Sequence, residues 1–384
     1  MTEPGSGPLS GIRILDLTVN LSGPFATMVL AQQGADVVKV ERPPVGDILR
    51  KVGSGRGGNS AYFVNTNWGK RSIALDFNVE ADLVTLRKLI ATANVLVENF
   101  RPAVMPKLGL RAEDLVAEHP RLIYAALRGF PSSSALADAP AYDHVIQAMT
   151  GFGGNQADLR TGVPVLVQQA VVDKVTGLTA AQAITAALLE RHRTGRGQVL
   201  EIPMLHAALA FLWPDVTTNV TMLGEFDQLP AQSRTFRLTA TLDGHVAMAT
   251  VTAPQWDGML RAVGRDELVG SPDLDTPQKR GRNAAPILKE IAAQLALLST
   301  DEVVARLSAN GVPCAKVASL AEIPDLIEAT SPGFLVREVH PELGDMIHPR
   351  PAVTFEGTPV IRHAPAMGEH TAEILAELDA DTDR

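Results

Sequence analysis

The chain has 384 residues, with 34 lysines and arginines against 43 aspartates and glutamates, a net charge of −9, 46% hydrophobic residues and a single cysteine. Such a length exceeds the roughly 250–300 residues at which one hydrophobic core stops growing, so two packed regions are expected. The acidic balance argues against a nucleic-acid or anionic-membrane partner, no run nears the ~20 apolar residues of a membrane span, and Cys314 alone makes no intrachain disulfide.

Residues 1–11, rich in Gly, Pro and Ser, lack the charged and apolar regions of a signal peptide, so a cytoplasmic location is expected. Ile12, Ile14, Leu15 and Leu17 then read as a strand, and Ser22-Gly23-Pro24 opens a helix that Gly34 stops. The β-branched run Val37, Val38, Val40 is the next strand, ending in Glu41-Arg42. The alternation continues with a strand at 72–76, a helix at 80–93, a strand at 95–97, a short helix near Glu113 and a strand at 122–127. Strands alternating with helices imply an α/β fold with a parallel sheet. The longest helix is expected over 171–193, with small residues Gly177, Ala180, Ala181 and Ala183 that permit close approach of another backbone. A strand at 199–202 and a helix at 204–211 follow.

The pattern changes after residue 222. Runs at 234–241 and 245–251 flank Asp243-Gly244, a hairpin signal, and helices follow at 285–298 and 301–309, the second behind Ser299 with Glu302 three residues on. The expected organisation is a Rossmann-like large domain, discontinuous over 1–222 and 325–384, with a smaller α+β domain at 223–324. A last helix is expected near 371–378.

Candidate chemistry starts with exclusions. Residues 53–58 satisfy G-x-G-x-x-G but do not sit between the first strand and its helix, so they read as a glycine loop and no dinucleotide site. The histidines and the lone cysteine form no metal-ligand spacing, and no G-x-S-x-G elbow is present, so neither a metal nor a serine or cysteine nucleophile is expected. Cationic and polar residues do gather just past strand ends: Arg42, Lys70-Arg71 and Asn99-Phe100-Arg101. That is where a parallel sheet holds ligands, and the set suits a phosphorylated one. Asp173 at the start of the long helix fits a first-turn carboxylate favoured by the helix dipole, and its position alone assigns it no chemistry.

In order, the segments Leu15-Asp16-Leu17 with Gly23-Pro24, 34–41, Lys70-Arg71-Ser72-Ile73, 97–102, Lys107-Leu108-Gly109, Ala141-Tyr142-Asp143 with Gln147, Asp173 with Thr176-Gly177, 193–198, 311–314 and 368–371 form a specific set. The chain resembles, over nearly its whole length, the family III CoA-transferases, which include formyl-CoA and carnitine-type transferases and are related to the 2-methylacyl-CoA racemases.

That resemblance implies a transferase moving CoA from an acyl-CoA thioester to a carboxylate acceptor, with Asp173 as nucleophile and no tightly bound cofactor. An unperturbed carboxylate, pKa near ~3.9, would be ionised at neutral pH without a base. By the same resemblance Arg42, Lys70, Arg71, Asn99, Phe100, Lys107 and Tyr142 fall where relatives bind CoA, and Val19, Asn20, Leu21, Ser22 and Met204 line the acyl pocket. Lys107 stands where some relatives carry arginine, Leu21 replaces the glutamine of formyl-CoA transferases, and their glycine-rich lid has no counterpart between Gly224 and Arg234, so formyl or oxalate specificity does not carry over. The family also implies a homodimer of interlinked subunits. A racemase or epimerase is the first alternative; it needs two proton-handling groups, and Tyr142 stands where racemases carry histidine, with His144 two positions late. A catalytically silent CoA-binding protein is the second.

Overall fold

The computed structural model describes residues 6–158, 160–226, 236–357 and 362–382. Two compact units divide the chain, one made of 1–214 with 333–384 and the other of 215–332.

The first unit is built on six parallel strands, β1 (Arg13–Asp16), β2 (Asp36–Glu41), β3 (Arg71–Ala74), β4 (Val95–Glu98), β5 (Ile123–Arg128) and β6 (Val199–Pro203). Their order across the sheet is β3-β2-β1-β4-β5-β6. That is the Rossmann order, with its reversal between β1 and β4. Side chains alternate strictly between two cores. Ile14, Val37, Val95, Ile123 and Ala125 face one, against α1 (Ser22–Ala31) and the long α3 (Val171–Thr194). Leu15, Val38, Leu96, Tyr124 and Ala126 face the other, against α2 (between Glu80 and Thr92 in sequence) and the closing helix Thr371–Thr382. The period of two explains why the strands read as nearly continuous apolar runs: both faces are covered.

The small residues of α3 meet α1. A Cβ added at Gly177 would lie 2.7 Å from the Ser22 carbonyl oxygen and 2.9 Å from the Phe25 ring, so only glycine permits this approach.

The 53–58 segment differs from the open loop expected of it. Gly55–Arg56 pairs antiparallel with Asn59–Ser60, and a one-turn helix, Ala61–Val64, follows, capped by Ser60 Oγ accepting from the Phe63 N–H at 3.0 Å.

The second unit has its own core around Val246, Trp256, Met259, Leu260, Ile291, Val303 and Leu307. Its strands β7 (Leu238–Ala240) and β8 (His245–Met248) form the hairpin over Asp243-Gly244, and β9 (Cys314–Lys316) pairs with β8 from the other side. Ser299 caps its helix by accepting from the Glu302 N–H at 3.3 Å. A reciprocal capping box forms at Thr252 and Gln255, which the sequence reading did not single out. Residues 227–235, which include most of the stretch read as lacking a glycine-rich lid, lie outside the described residues.

Candidate active site at the start of the long helix

The switch point of the sheet is bounded by the turn after β1 and the turn after β4, and Asn99 ties them together. Its Oδ1 accepts from the Val19 N–H at 2.9 Å and its Nδ2 donates to the Val19 carbonyl at 2.7 Å. Both ends of the carboxamide of Asn99, a residue expected at the CoA site, thus hold the turn. Asn20, next in the turn, adopts φ 69°, a left-handed conformation that asparagine tolerates, and its N–H donates to Asp47 Oδ1 at 3.1 Å.

Beneath the turn lies a closed electrostatic cluster. Lys70 is fully buried and its ammonium donates to Asp16 Oδ2 at 2.9 Å, the Pro24 carbonyl at 2.9 Å and Asn67 Oδ1 at 2.8 Å. Lys39, equally buried, donates to the Thr18 carbonyl at 2.8 Å and pairs with Asp47 at 3.1 Å. Arg50 pairs with Glu41 at 2.6 Å. Burial alone would raise the Asp16 carboxyl, and the Lys70 and Lys39 charges overcome it, holding the group well below the usual carboxylate range.

Lys70 therefore has no open face for a phosphate. Arg71, 6% exposed, is likewise occupied: it meets Asp36 at 2.7 Å, Glu373 at 2.9 Å and Glu377 at 2.6 Å. Lys70 and Arg71, expected at the CoA site, are thus both buried and paired within this unit. Of the other cations, Arg42 is exposed and pairs with Asp76 at 3.0 Å, and Lys107 is exposed at the end of a one-turn helix. Phe100 packs against the second core and donates its N–H to Glu98 at 2.9 Å. Tyr142 is exposed and lies parallel to His144, with ring centroids 6.3 Å apart. Leu21 and Ser22 are buried, Val19 is half-buried, and Met204 is buried at the start of its helix.

On the other side of the turn, Asp173 occupies the first turn of α3. Its N–H donates to Asp143 Oδ2 at 2.9 Å, and Asp143 is in turn held by Gln147, four residues on along the helix Asp143–Thr150, whose Nε2 donates to Asp143 Oδ1 at 2.5 Å. Gln147 also accepts from the Val167 N–H at 3.0 Å and donates to the Gln169 carbonyl at 3.2 Å, anchoring the segment that leads into α3. One glutamine thereby fixes the Asp143 carboxylate, which in turn holds the backbone of Asp173. Burial pushes the Asp173 carboxyl up to about 7, the Asp143 charge pushes the same way, and a hydrogen bond with the Ser22 side chain works against both. Asp173 is thus not the unperturbed carboxylate expected from the sequence.

Tyr62, at the end of the segment after the glycine hairpin, belongs to the same site. Burial raises its hydroxyl, and the charges of Asp173 and Asp143 raise it further. The sequence reading missed it: nothing about Tyr62, one of three tyrosines, marks it locally, because a hairpin and a short helix deliver it. Among the described residues no three His, Cys, Asp or Glu side chains gather to hold a metal ion, and no described helix is long and apolar enough to cross a membrane.

A raised-pKa carboxylate with a second carboxylate, a serine hydroxyl and a phenol around it is equipped for nucleophilic carboxylate chemistry. The model for CoA-transferase family III matches residues 9–371. Formyl-CoA:oxalate CoA-transferase of Escherichia coli O6:H1 is 31% identical, with 98% of this chain and 97% of that protein covered. A CAIB/BAIF family protein from Brucella suis has 28% identity and a TM-score of 0.83, covering 97% of this chain and 100% of its own. Rv3272 from Mycobacterium tuberculosis has 29% identity and a TM-score of 0.83 over the same shares. The site and these likenesses together identify the chain as a member of CoA-transferase family III.

Proposed function

We propose that the protein transfers CoA from an acyl-CoA thioester to a carboxylic acid through Asp173. The observation that carries this reading is the placement of Asp173, half-enclosed in the first turn of α3 with its carboxyl lifted to about 7. A carboxylate of that basicity is a better nucleophile than an ordinary aspartate and is still ionised in an appreciable fraction at neutral pH. Its oxygen attacks the thioester carbonyl; the new C–O bond forms as C–S breaks, leaving a mixed anhydride and CoA thiolate. The thiolate attacks the Asp173 carbonyl of that anhydride, releasing the donor acid and leaving an aspartyl-CoA thioester. The acceptor carboxylate repeats the first exchange in reverse: it displaces CoA from aspartate, and the thiolate then takes the acceptor acyl group and frees Asp173. One thioester is traded for another, so no external energy source is needed.

Asp143 supports the cycle by raising Asp173, and Tyr62, held protonated, offers a donor beside both carboxylates. An anhydride hydrolyses in water, which fits an attacking group walled by Ser22 and the close α1–α3 contact. Arg42, Arg101 and Lys107 are exposed cations that would attract CoA phosphates. The formyl-CoA:oxalate CoA-transferase activity of the Escherichia coli relative makes formyl-CoA and oxalate the first pair to assay, while Leu21 and the composition of 224–234 argue for a different pair. The family reading also implies a homodimer of interlinked subunits in the cytoplasm; a stable monomer in sedimentation at low micromolar concentration would reject the dimer. The test of the chemistry is hydroxylamine added during turnover of matched acyl-CoA and carboxylate pairs. A hydroxamate on the peptide carrying Asp173 is expected, and turnover with that peptide unlabelled would overturn the covalent route.

A further inference from the structure

The second unit holds a feature that the transfer reaction does not use. Trp256, in the helix Ala253–Ala262, and Arg280, in the two-turn helix Pro277–Asn283, are 4% and 8% exposed and line one cavity of about 90 Å³. The guanidinium carbon lies 5.6 Å from the indole ring centre. Arg280 Nη2 donates to the Val251 carbonyl at 3.3 Å, but Arg280 Nη1 and Trp256 Nε1 are both buried without a hydrogen-bond partner. Among the described residues no carboxylate lies within ion-pair distance of Arg280. Two orphaned donors line one space, one of them on a buried cation with no ion pair, and such groups are costly until a partner satisfies them.

We infer that this cavity is a binding site for a small carboxylate, whose two oxygens accept from Arg280 Nη1 and Trp256 Nε1. Water would satisfy the donors but leave the charge uncompensated. A single negative charge balances a single guanidinium, whereas a dianion would be repelled about twice as strongly by Asp257 and Asp275, which line the cavity. Asp275 is already paired with Lys279 at 2.9 Å, and Asp257, which accepts from the Gly270 N–H at 3.5 Å, makes no ion pair with Arg280, so the guanidinium keeps an open position for a directly bound carboxylate. Ala253, Leu274 and the indole face give an apolar wall for a short alkyl group. The volume admits an acid of acetate size and excludes CoA, and the lining belongs wholly to the second unit.

The test uses the indole N–H resonances of the three tryptophans in the full-length protein, with Trp256→Phe assigning the relevant one. Sodium acetate, titrated at constant ionic strength against chloride, should shift the Trp256 resonance downfield and saturate. Arg280→Gln, which keeps a donor for Val251 but removes the charge, should weaken that response at least tenfold. No shift, an equal shift with chloride, or an undiminished shift in Arg280→Gln overturns the site. A response to inorganic phosphate in preference to acetate overturns the carboxylate assignment. If Arg280→Gln does not fold, the acetate, chloride and phosphate titrations of the native protein decide the matter by themselves.

Discussion

Two clusters of charge flank the turn after β1, and they are built on opposite terms. Below it, Asp16, Lys39, Asp47 and Lys70 are each completely buried and each meets an opposite charge within 3.1 Å. Above it, Asp173 and Asp143 are joined through a backbone N–H, two like charges with no ion pair to either among the described residues. Burial acts on both clusters, yet it leaves Asp16 strongly acidic and Asp173 weakly so. Compensation makes a buried carboxylate inert, and its lack makes one reactive. The same turn can thus rest on a rigid base and present a basic nucleophile.

The largest effect expected from disturbing this contrast is on Asp173→Asn. Transfer should fall at least a thousandfold, since the amide is a poor nucleophile, while CoA binding measured by calorimetry stays within a few-fold. Stability should move the other way. The native carboxyl binds a proton more readily than the unfolded one, so between pH about 4 and about 7 the native state holds the extra proton and stability declines as pH rises. The asparagine variant escapes that decline. At pH 8 it should be more stable than the native protein by on the order of 3 kcal/mol in urea unfolding, with the gap closing toward pH 4.

Lys70→Met tests the other cluster. It strands Asp16 in the interior and should cost about 3–5 kcal/mol of stability, with heat-denaturation midpoints as the readout. If Lys70 bound CoA instead, the variant would keep its midpoint and lose only affinity.

A smaller change is expected from Asp143→Asn, which removes the like charge beside Asp173. The native rate, kcat/KM, should climb with pH and level off above about 7; in the variant that limb should move down by roughly one pH unit. An unmoved limb would mean that burial alone sets Asp173. The smallest effect belongs to Arg42→Ala. Its ion pair with Asp76 is exposed, so stability should change by less than about 0.5 kcal/mol, while the Michaelis constant for every acyl-CoA rises and added salt imitates the defect.

These contrasts also mark how far the sequence could be read. The first strand, helix and second strand were legible because β-branched runs, Ser22-Gly23-Pro24 and Gly34 act over a few residues. The start of α3 and its close packing were legible from Gly177 and its alanine neighbours. Lys70 and Arg71 were not. Adjacent cations at a strand edge look the same whether they face solvent or carboxylates brought from elsewhere, and the partners of Arg71 are Asp36, Glu373 and Glu377. The role of Tyr62 was equally hidden, since it depends on where a hairpin turns. Asp173 was found by resemblance, but its basicity was not, because that follows from burial and from Asp143, thirty residues earlier.

The ties of Arg13 and Arg71 to Glu377 also bear on the order in which the chain acquires its structure. Strands β1 and β3 are made early on the ribosome, but the carboxylate that both arginines share, 2.7 Å from Arg13 and 2.6 Å from Arg71, follows them by 364 and 306 residues. Closing a loop of more than three hundred residues is slow, and until it closes the edge of the sheet lacks the closing helix that packs Ile374 and Leu378 onto it. The large unit is therefore completed only once the closing helix Thr371–Thr382 has been made, and until then Arg13 and Arg71 lack the carboxylate they share.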